Sequence, residues 1–135
     1  MKLTRASSYA LHAHVHMARE GDGRPVPSHD AARAHGIPEK FLLKLLKPLV
    51  DARVLLSLRG PNGGYRLAKP ARHITLLDVV EAVDGPVRGD APPVGTGKDG
   101  AATFDKRLQA VCDQAAALVR ERLGVVTLAQ LAKGK

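Results

Sequence analysis

The sequence predicts a mainly α-helical fold with a small β-hairpin wing: a winged helix-turn-helix followed by a long C-terminal dimerisation helix. Three observations lead to this prediction. Apolar residues recur at three- and four-residue intervals in several segments, which is typical of amphipathic helices. Two strand-like runs enclose a glycine-rich turn directly after a helical hairpin. A further helix near the C-terminus carries an apolar stripe that needs a partner surface.

The helical hairpin follows a first helix at about residues 4–20, which stops at a segment rich in glycine and proline. Ser28 is the expected N-cap of a short helix over residues 29–35, and Gly36 allows the left-handed conformation that closes it. A second helix then follows, because Pro38 is tolerated in its opening turn and leucines recur on one face. Two helices joined by a tight glycine turn predict a helix-turn-helix.

The predicted wing consists of strand-like residues 54–58 and 65–67 around the turn at residues 59–64. Pro61 fixes one turn dihedral, while Asn62 and the neighbouring glycines tolerate positive φ. A hairpin placed directly after the second helix of a helix-turn-helix is the wing of a winged-helix domain.

The rest of the chain is predicted to form a capped helix, a linker and a long helix. Thr75 opens the capped helix with Asp78 at its third position, which approximates a capping box. The long helix, at about residues 104–124, should pair with its copy in a second subunit across a two-fold axis. Its apolar stripe contains Leu108, Val111, Cys112, Ala115, Leu118 and Val119. The predicted units are a winged helix-turn-helix domain at 1–85, a flexible linker at 86–102, and the dimerisation helix and tail at 103–135, with a short helical turn at 126–131.

The charge of the chain favours a polyanionic partner. Lys and Arg number 21 against 13 Asp and Glu, which gives a formal net charge of +8 at pH 7. Because the chain has no long apolar run and no signal-peptide pattern, we expect a cytoplasmic, nucleoid-associated protein without a membrane partner. With two Phe, two Tyr and no Trp, it lacks stacking platforms for single strands. Duplex DNA is therefore the expected partner.

The sequence offers no enzyme site, and no metal or cofactor is expected. It contains no phosphate loop, nucleophile elbow or paired catalytic carboxylates in a motif context. His12 and His16 share a helix face that His14 does not, and two imidazoles without a third ligand make a poor metal site. Cys112 is the only cysteine and is interpreted as an inert core thiol, with a redox switch across the dimer axis as the alternative.

Five motifs, in order, resemble those of the Rrf2-type transcriptional regulators of bacteria over nearly the whole chain. They are MKLT with YAL near the start, GIPEKFL at 36–42, RGPNGGYRL at 59–67, ITLLDVV with EAVDGP at 74–86, and TLAQL at 127–131. The resemblance implies a homodimer whose second helix-turn-helix helix enters the major groove while the wing approaches the neighbouring minor groove. Many relatives regulate iron–sulfur assembly, cysteine metabolism, or responses to nitric oxide and oxidants.

The linker departs from the pattern of the cluster-binding members. Those relatives carry three cysteines before the long helix, whereas residues 87–106 here contain none. Gln109 stands about where a further ligand would lie. An iron–sulfur cluster held in the usual way is therefore not expected.

Other departures lie in or after the recognition helix, which should end near Ala52. Arg53 stands where the family usually has a closing glycine, so this cap is expected to be strained or differently shaped. Pro48 removes one backbone hydrogen bond inside the helix and should kink it. Leu43 replaces an often polar residue, so the base preference of relatives is not transferable.

Basic side chains on the recognition helix and the wing are the main candidates for DNA contacts. Lys40 and Lys44 lie one turn apart and can reach phosphate or a guanine edge, with solvated surface lysines as the alternative. Arg59 can enter a narrow minor groove, with a solvent-exposed turn arginine as the alternative. Ser7 and its neighbours can donate to phosphates, with simple N-capping as the alternative. The residues expected to contact DNA are Lys2, Arg5, Ser8, Tyr9, Ser28, Pro38, Glu39, Lys40, Phe41, Lys44, Arg59, Gly60, Asn62 and Gly63.

These inferences predict a sequence-specific regulator that binds double-stranded DNA as a homodimer on a pseudo-palindromic operator. Two alternatives stay open: a redox-responsive regulator switched through Cys112, and a winged-helix adaptor that binds RNA or protein. The sequence identifies neither the effector, nor the operator, nor the sign of regulation.

Overall fold

The computed structural model describes residues 1–21, 23–94 and 101–133. Residues 95–100 of the predicted linker and 134–135 of the predicted tail lie outside these ranges. A π-helical turn at Met17–Gly21 continues the first helix, and a 3-10 turn at Ala71–His73 precedes the fourth. The helices are α1 (Arg5–His16), α2 (Ser28–His35), α3 (Glu39–Asp51), α4 (Leu76–Asp84), α5 (Ala101–Gly124) and α6 (Leu128–Ala132), and the strands are β1 (Leu55–Leu58) and β2 (Gly64–Leu67).

The predicted fold class, mainly α with a small hairpin wing, is confirmed. The hydrophobic core lies where α1, α3, α4 and α6 meet the base of the wing. Burial of a leucine or isoleucine side chain stabilises the fold by about 1.5–3 kcal/mol, so these contacts fix the mutual positions of the helices. The largest apolar side chains that are almost completely buried are Leu42, Leu46, Leu49, Leu55, Ile74, Val79 and Leu128.

The wing pairs β1 with β2 in antiparallel register, with Leu55 opposite Leu67 and Leu58 opposite Gly64. A third short segment, which the sequence did not predict, adds to β2. The Val26 N–H donates to the Tyr65 carbonyl at 2.7 Å, and the Tyr65 N–H donates to the Val26 carbonyl at 2.9 Å. This pairing ties the wing to the segment between α1 and α2.

Helix ends mostly follow the sequence, with one correction. Thr75 and Asp78 form the expected capping box at α4, with N···O distances of 3.1 and 2.9 Å. A second capping box starts α6 at Thr127. Ser28 is not an N-cap: it is the first residue of α2, Pro27 takes the cap position, and no side chain caps this helix. The prediction failed because the extended residue directly before the first helical turn is Pro27, and Ser28 already belongs to that turn.

Two residues in or just after α3, the predicted recognition helix, depart from the family pattern. Arg53 adopts φ of 62°, which is the left-handed conformation that glycine adopts at lower cost, so the expected strain is present. Pro48 lies inside α3, and the helix nevertheless continues to Asp51.

One face of α5 packs on its own protomer. The Gln109 side chain donates to the Gly89 carbonyl and accepts from the Ala91 N–H, both at 3.0 Å. A Cβ atom on Gly89 would lie 2.4 Å from the Cys112 carbonyl carbon, so the start of the linker lies directly against the helix. Arg120 forms an ion pair with Glu81 of α4. Residues 86–94 thus have no regular secondary structure, but Gly89 and Ala91 among them contact α5.

The other face of α5 is apolar and exposed. Phe104 is 63% exposed and Leu118 is 68% exposed, with Leu108 and Val111 between them on the same stripe. Cys112 and Val119 were predicted to lie on this stripe too, but both are half-buried on the inward face. Consecutive residues of a helix point about 100° apart, so neighbouring apolar residues can lie on different faces. The three- and four-residue spacing in the sequence did not separate these two faces.

Among the helices in the described ranges, none combines the length and the hydrophobicity that spanning a bilayer requires.

His14 is a histidine enclosed completely by the core. Its Nδ1 lies 2.6 Å from the Ala10 carbonyl, and its Nε2 has no hydrogen-bond partner among the described residues. Burial disfavours the charged ring and lowers the pKa of His14 to about 4, against a smaller opposing effect of the bond to Ala10. The folded chain therefore holds a neutral imidazole at neutral pH.

This burial predicts a loss of stability in acid. The pKa of His14 is about 6.5 in the unfolded chain and about 4 in the folded chain, so the unfolded state binds the extra proton first. Stability should be intact above pH 6.5 and fall as the pH drops towards 4, by about 3 kcal/mol from this residue. Urea unfolding at a series of pH values measures the loss.

The matched variants are His14→Leu, which removes the buried titrating group, and His73→Asn, which removes an exposed histidine. The loss between pH 7 and pH 4.5 should shrink in the first variant and persist in the second. An equal loss in His14→Leu and the wild type would contradict the assignment.

Candidate nucleic-acid interface

The helix-turn-helix is held by a glycine turn and a buried isoleucine. Gly36 ends α2 with φ of 64° and ψ of 30°, a left-handed conformation that the expected turn requires. The Ile37 N–H donates to the Ala32 carbonyl at 2.9 Å, and the Ile37 side chain is buried. Pro38 occupies the N-cap position of α3, and Glu39 is its first residue. The start of α3 is therefore fixed relative to α2.

α3 has one buried face and one basic face. Leu42, Leu46 and Leu49 are buried completely and Leu45 nearly so. Lys40 and Lys44 lie on the exposed side, as does Leu43, which is 41% exposed. Lys47 is also exposed but lies 3.5 Å from the Asp51 carboxylate, so its charge is partly compensated. Lys40 and Lys44 have no ion-pair partner among the described residues.

Phe41 links α3 to α1. Its ring packs edge-on against Tyr9, with ring centroids 5.7 Å apart and an interplanar angle of 84°. Phe41 is still 39% exposed, and Tyr9 is half-buried against the core. The pair places an exposed aromatic edge beside the basic face of α3.

The wing tip is a tight turn whose backbone requires glycine. Gly60 has φ of 105°, and the Gly63 N–H donates to the Gly60 carbonyl at 3.0 Å. A Cβ atom on Gly63 would lie 2.3 Å from the Leu58 carbonyl oxygen, so only glycine fits there. Arg59 and Asn62 are exposed on this turn. The tip thus presents one arginine on a compact, poorly shielded backbone.

The start of α1 is anchored by Asp84. The Thr4 hydroxyl donates to the Asp84 carboxylate at 2.8 Å and accepts from the Ser7 N–H at 3.0 Å. Ser7 is buried, and its hydroxyl donates to Asp84 at 2.5 Å. The expectation that the Ser7 hydroxyl faces a phosphate is therefore wrong. Arg5 is exposed at the first position of α1.

Three parts of the predicted surface thus come from adjoining elements: the start of α1, the outer face of α3 and the wing tip. Lys2 is exposed before α1, Ser8 is half-buried within α1, and Ser28 is half-buried at the start of α2. The wing tip borders the segment before α2 through a groove of about 440 Å³ lined by Arg24, Pro25 and Pro27. Among the described residues, Lys2 and Ser28 form no hydrogen bond or ion pair with a side chain on the basic face of α3.

Comparison with known proteins gives the family. The family model for Rrf2, described as an iron-dependent transcriptional regulator, matches residues 3–134. The chain belongs to the Rrf2 family. The resemblance that the five motifs predicted is confirmed, and the expectation that the chain is not an enzyme is confirmed with it, since the family consists of regulators.

Individual relatives agree with this assignment. The chain is 39% identical over 84 residues to the HTH-type transcriptional regulator IscR of Vibrio parahaemolyticus, covering 62% of this chain and 50% of that protein. The structure of CymR, the global cysteine regulator of B. subtilis, is similar with a TM-score of 0.74 and 25% identity over 98% of this chain and 96% of that one. The structure of IscR from T. potens is similar with a TM-score of 0.74 and 26% identity, covering 98% of this chain and 87% of that one. The chain spans about half the length of the curated relatives it matches.

The iron in the family description can be tested against the donors present. Iron–sulfur clusters are held mainly by cysteine thiolates, usually four, and this chain has only Cys112. Gln109 is committed to the linker backbone through two hydrogen bonds. Among the described residues, no three His, Cys, Asp or Glu side chains are arranged to hold a metal ion. The donor set of this Rrf2 chain does not fit a cysteine-ligated cluster.

The structure adds a third histidine to the pair noted in the sequence. The His35 ring lies 5.6 Å from the His12 ring and 5.2 Å from the His16 ring, measured between centroids. Burial, and then the charges of His16, His12 and Arg19, lower the pKa of His35. Sequence spacing could not find this group because His35 is on a different helix.

Asp84 is a second residue that the sequence analysis missed. It lies in the EAVDGP run, which marks the end of α4, but nothing in its spacing indicates a bond to α1. The sequence pattern also did not group Arg24 with Arg66 and Lys69, because Arg24 is far from the other two in the sequence and shares a cleft with them only beside the wing.

Loss of the Asp84 carboxylate should destabilise the fold. Asp84→Ala removes the acceptor of the Thr4 and Ser7 hydroxyls and leaves the Ser7 hydroxyl buried without this partner. Such a loss costs about 1–3 kcal/mol, and denaturant unfolding measures it. Asp51→Ala is the control, since it removes only an exposed pair with Lys47, worth about 0–1 kcal/mol. Equal losses in both variants would show that the anchor contributes nothing.

Proposed function

We propose that this Rrf2-family chain is a transcriptional regulator that binds double-stranded DNA sequence-specifically, as a homodimer on a pseudo-palindromic operator. The observation that carries the proposal is the division of α3 into a buried leucine face and an outward face with Lys40 and Lys44. Because the leucines fix the rotation of the helix, the two lysines project outward from a rigid element. An α-helix presented in this way fits the major groove of B-DNA.

The two lysines of α3 and the arginine of the wing have different proposed roles in DNA binding. A lysine ammonium neutralises phosphate well but lacks the planar fork with which arginine recognises guanine, so Lys40 and Lys44 position the helix at least as much as they specify bases. Arg59 extends from a compact turn beside exposed glycine backbone, which suits insertion into a narrow minor groove. The exposed Phe41 edge, supported by Tyr9, can contact a thymine methyl group.

Polar groups around this centre complete the proposed contact surface. Lys2, Arg5, Ser8 and Ser28 would contribute backbone phosphate contacts, and Glu39, at the start of α3, can accept from a cytosine amino group. The backbone of Gly60, Asn62 and Gly63 would allow the wing to approach the duplex closely. Such a protein would act on the nucleoid.

The dimer is supported by the outward stripe of α5. Large apolar side chains at 104, 108, 111 and 118 follow the spacing of a single helical face, and all four are exposed. An apolar stripe of this length on a surface helix marks an interaction site, and a second copy of the same stripe is self-complementary. Pairing α5 with its copy would hold two α3 helices at a fixed separation, which matches half-sites about one helical turn apart.

The single cysteine and its position on α5 bear on two questions: whether the chain holds an iron–sulfur cluster, and whether Cys112 acts as a redox switch. We propose that the chain regulates without a cysteine-ligated iron–sulfur cluster, because its one cysteine cannot supply the ligands. A disulfide between the Cys112 thiols of two subunits is not favoured, since Cys112 lies on the inward face of α5 against the linker. No observation favours an RNA or protein adaptor over DNA.

DNA binding is tested with duplexes selected from a random pool. The wild type should bind a palindromic sequence saturably over competitor DNA. If each dimer neutralises about 6–10 phosphates, the affinity should fall with salt at a log–log slope of about −5 to −9. Arg59→Ala should weaken binding by about 1–3 kcal/mol while leaving the dimer intact.

The control for Arg59→Ala is Arg122→Ala, which removes an exposed arginine from the last turn of α5. Fluorescence anisotropy of a labelled duplex compares the two variants under one salt condition. Unchanged affinity in Arg59→Ala would remove the wing from the mechanism, and equal affinity for all duplexes would remove sequence-specific recognition.

The dimer is tested separately by charge on the α5 stripe. Leu118→Glu places a carboxylate on the proposed interface and should convert the dimer to a monomer, because an unpaired buried charge costs several kcal/mol. Val94→Glu changes an even more exposed apolar residue outside α5 and should leave the dimer intact. Sedimentation velocity gives the molar mass. A wild-type monomer, or a dimeric Leu118→Glu variant, would refute the interface.

A further inference from the structure

A cleft of about 430 Å³ lies between the π-helical turn that follows α1 and the outer face of the wing. Arg66 and Leu56 form a cross-strand pair on this outer face, and neighbouring Tyr65 and Leu67 pack towards the core on the other face. Met17 of the π-helical turn lines the cleft from the opposite side. Its volume is within the range of small-molecule sites.

Three cationic side chains converge on the cleft. Arg24 comes from the segment before α2, Arg66 from β2, and Lys69 from the turn after β2. Every lining residue that the structure describes is apolar, basic or glycine, so no carboxylate there compensates the charge. In the described ranges, neither arginine nor Lys69 takes part in an ion pair or a side-chain hydrogen bond. Three cationic residues that line one cleft, with no counter-charge among the described lining residues, form an attractive site for an anion.

Arg66 adds an observation that points to a ligand. Its Nε atom is inaccessible to solvent and has no hydrogen-bond partner in the part of the chain that the structure describes. A buried N–H without an acceptor is unfavourable, and folded proteins rarely leave one. Because solvent does not reach Nε, an oxyanion in the cleft would bind the terminal nitrogens of the same guanidinium and neutralise its charge.

We infer that this cleft beside the wing is a binding site for a small anion that carries phosphate or carboxylate groups, held by Arg24, Arg66 and Lys69. Arginine presents a planar fork that fits two oxygens of either group, and Lys69 contributes a further point charge. Leu56 and Met17 provide apolar surface for the rest of the ligand.

A small molecule fits these observations better than a phosphate of duplex DNA. A backbone phosphate stays at the protein surface, whereas the cleft of about 430 Å³ extends inward to the buried Met17. Arg24 also lines the groove under the wing tip, so it borders both the anion cleft and the proposed DNA surface. Ligand binding would thus involve Arg24, a residue next to the wing tip. An effect of the ligand on DNA recognition rests on the proposed DNA-binding function, whereas anion binding itself does not.

The test is isothermal titration of the DNA-free, full-length chain with pyrophosphate and, in a second arm, citrate, in about 150 mM NaCl to screen non-specific attraction. At least one of the two probes should bind saturably with one site per chain. Arg66→Gln and Lys69→Gln should each weaken that binding about tenfold or more. Arg122→Gln, which removes an exposed arginine far along α5, should bind like the wild type. Thermal melting of each variant confirms that it is folded.

Three results would overturn the inference. The first is no saturable binding of either probe. The second is equal weakening by Arg122→Gln, which would mean attraction by net charge alone. The third is a reduced DNA affinity and a shallower salt slope in Arg66→Gln without probe binding, which would mean that the cleft takes a DNA phosphate. Because the titration contains no DNA, failure of the cleft and failure of DNA recognition are distinguishable.

Discussion

Burial of the leucine face of α3 is the constraint on which the rest of the surface depends. A helix with 3.6 residues per turn cannot bury Leu42, Leu46 and Leu49 without turning Lys40 and Lys44 outward. The rotation is held by α1, α4 and β1, all of which contact α3. Interiors are close-packed and resist small shifts, so the basic face is as rigid as the core beneath it.

α1 connects this core to the other functional parts. Its start is bonded to the end of α4 through Asp84, and Tyr9 in its second turn supports Phe41. Its end widens into a π-helical turn that borders the cleft beside the wing, and π-helical turns interrupt regular helices frequently at functional sites. Arg19 in that turn donates to the Ala132 carbonyl at 3.0 Å, which ties the same region to α6. One helix therefore contacts both the proposed DNA surface and the proposed anion site.

Local sequence patterns predicted most of the fold because they depend on near neighbours. The spacing of the α3 leucines, the Gly36 turn and the Thr75 capping box each involve residues within a few positions, and all three are present. Predictions failed where the deciding partner is distant in sequence. Ser7 faces Asp84, 77 positions away, and His35 joins His12 only across two helices. Ser28 was misplaced by one position, which is the usual uncertainty at helix ends.

The separation of the two faces of α5 has a physical consequence for regulation. The inward face, through Gln109 and Cys112, holds the linker that leaves α4, while the outward stripe is free to pair with a second copy. In the proposed dimer, a change in how the linker lies on α5 would alter the angle between the paired α5 helices and the winged domain, and with it the spacing of the two α3 helices. In a chain with a single cysteine, the Gln109 amide keeps that linker in place with neutral hydrogen bonds, worth about 0.5–1.5 kcal/mol each. These bonds are weak compared with the metal–ligand bonds of a cluster. The proposed anion site beside the wing is a different route by which a signal would reach the proposed DNA surface.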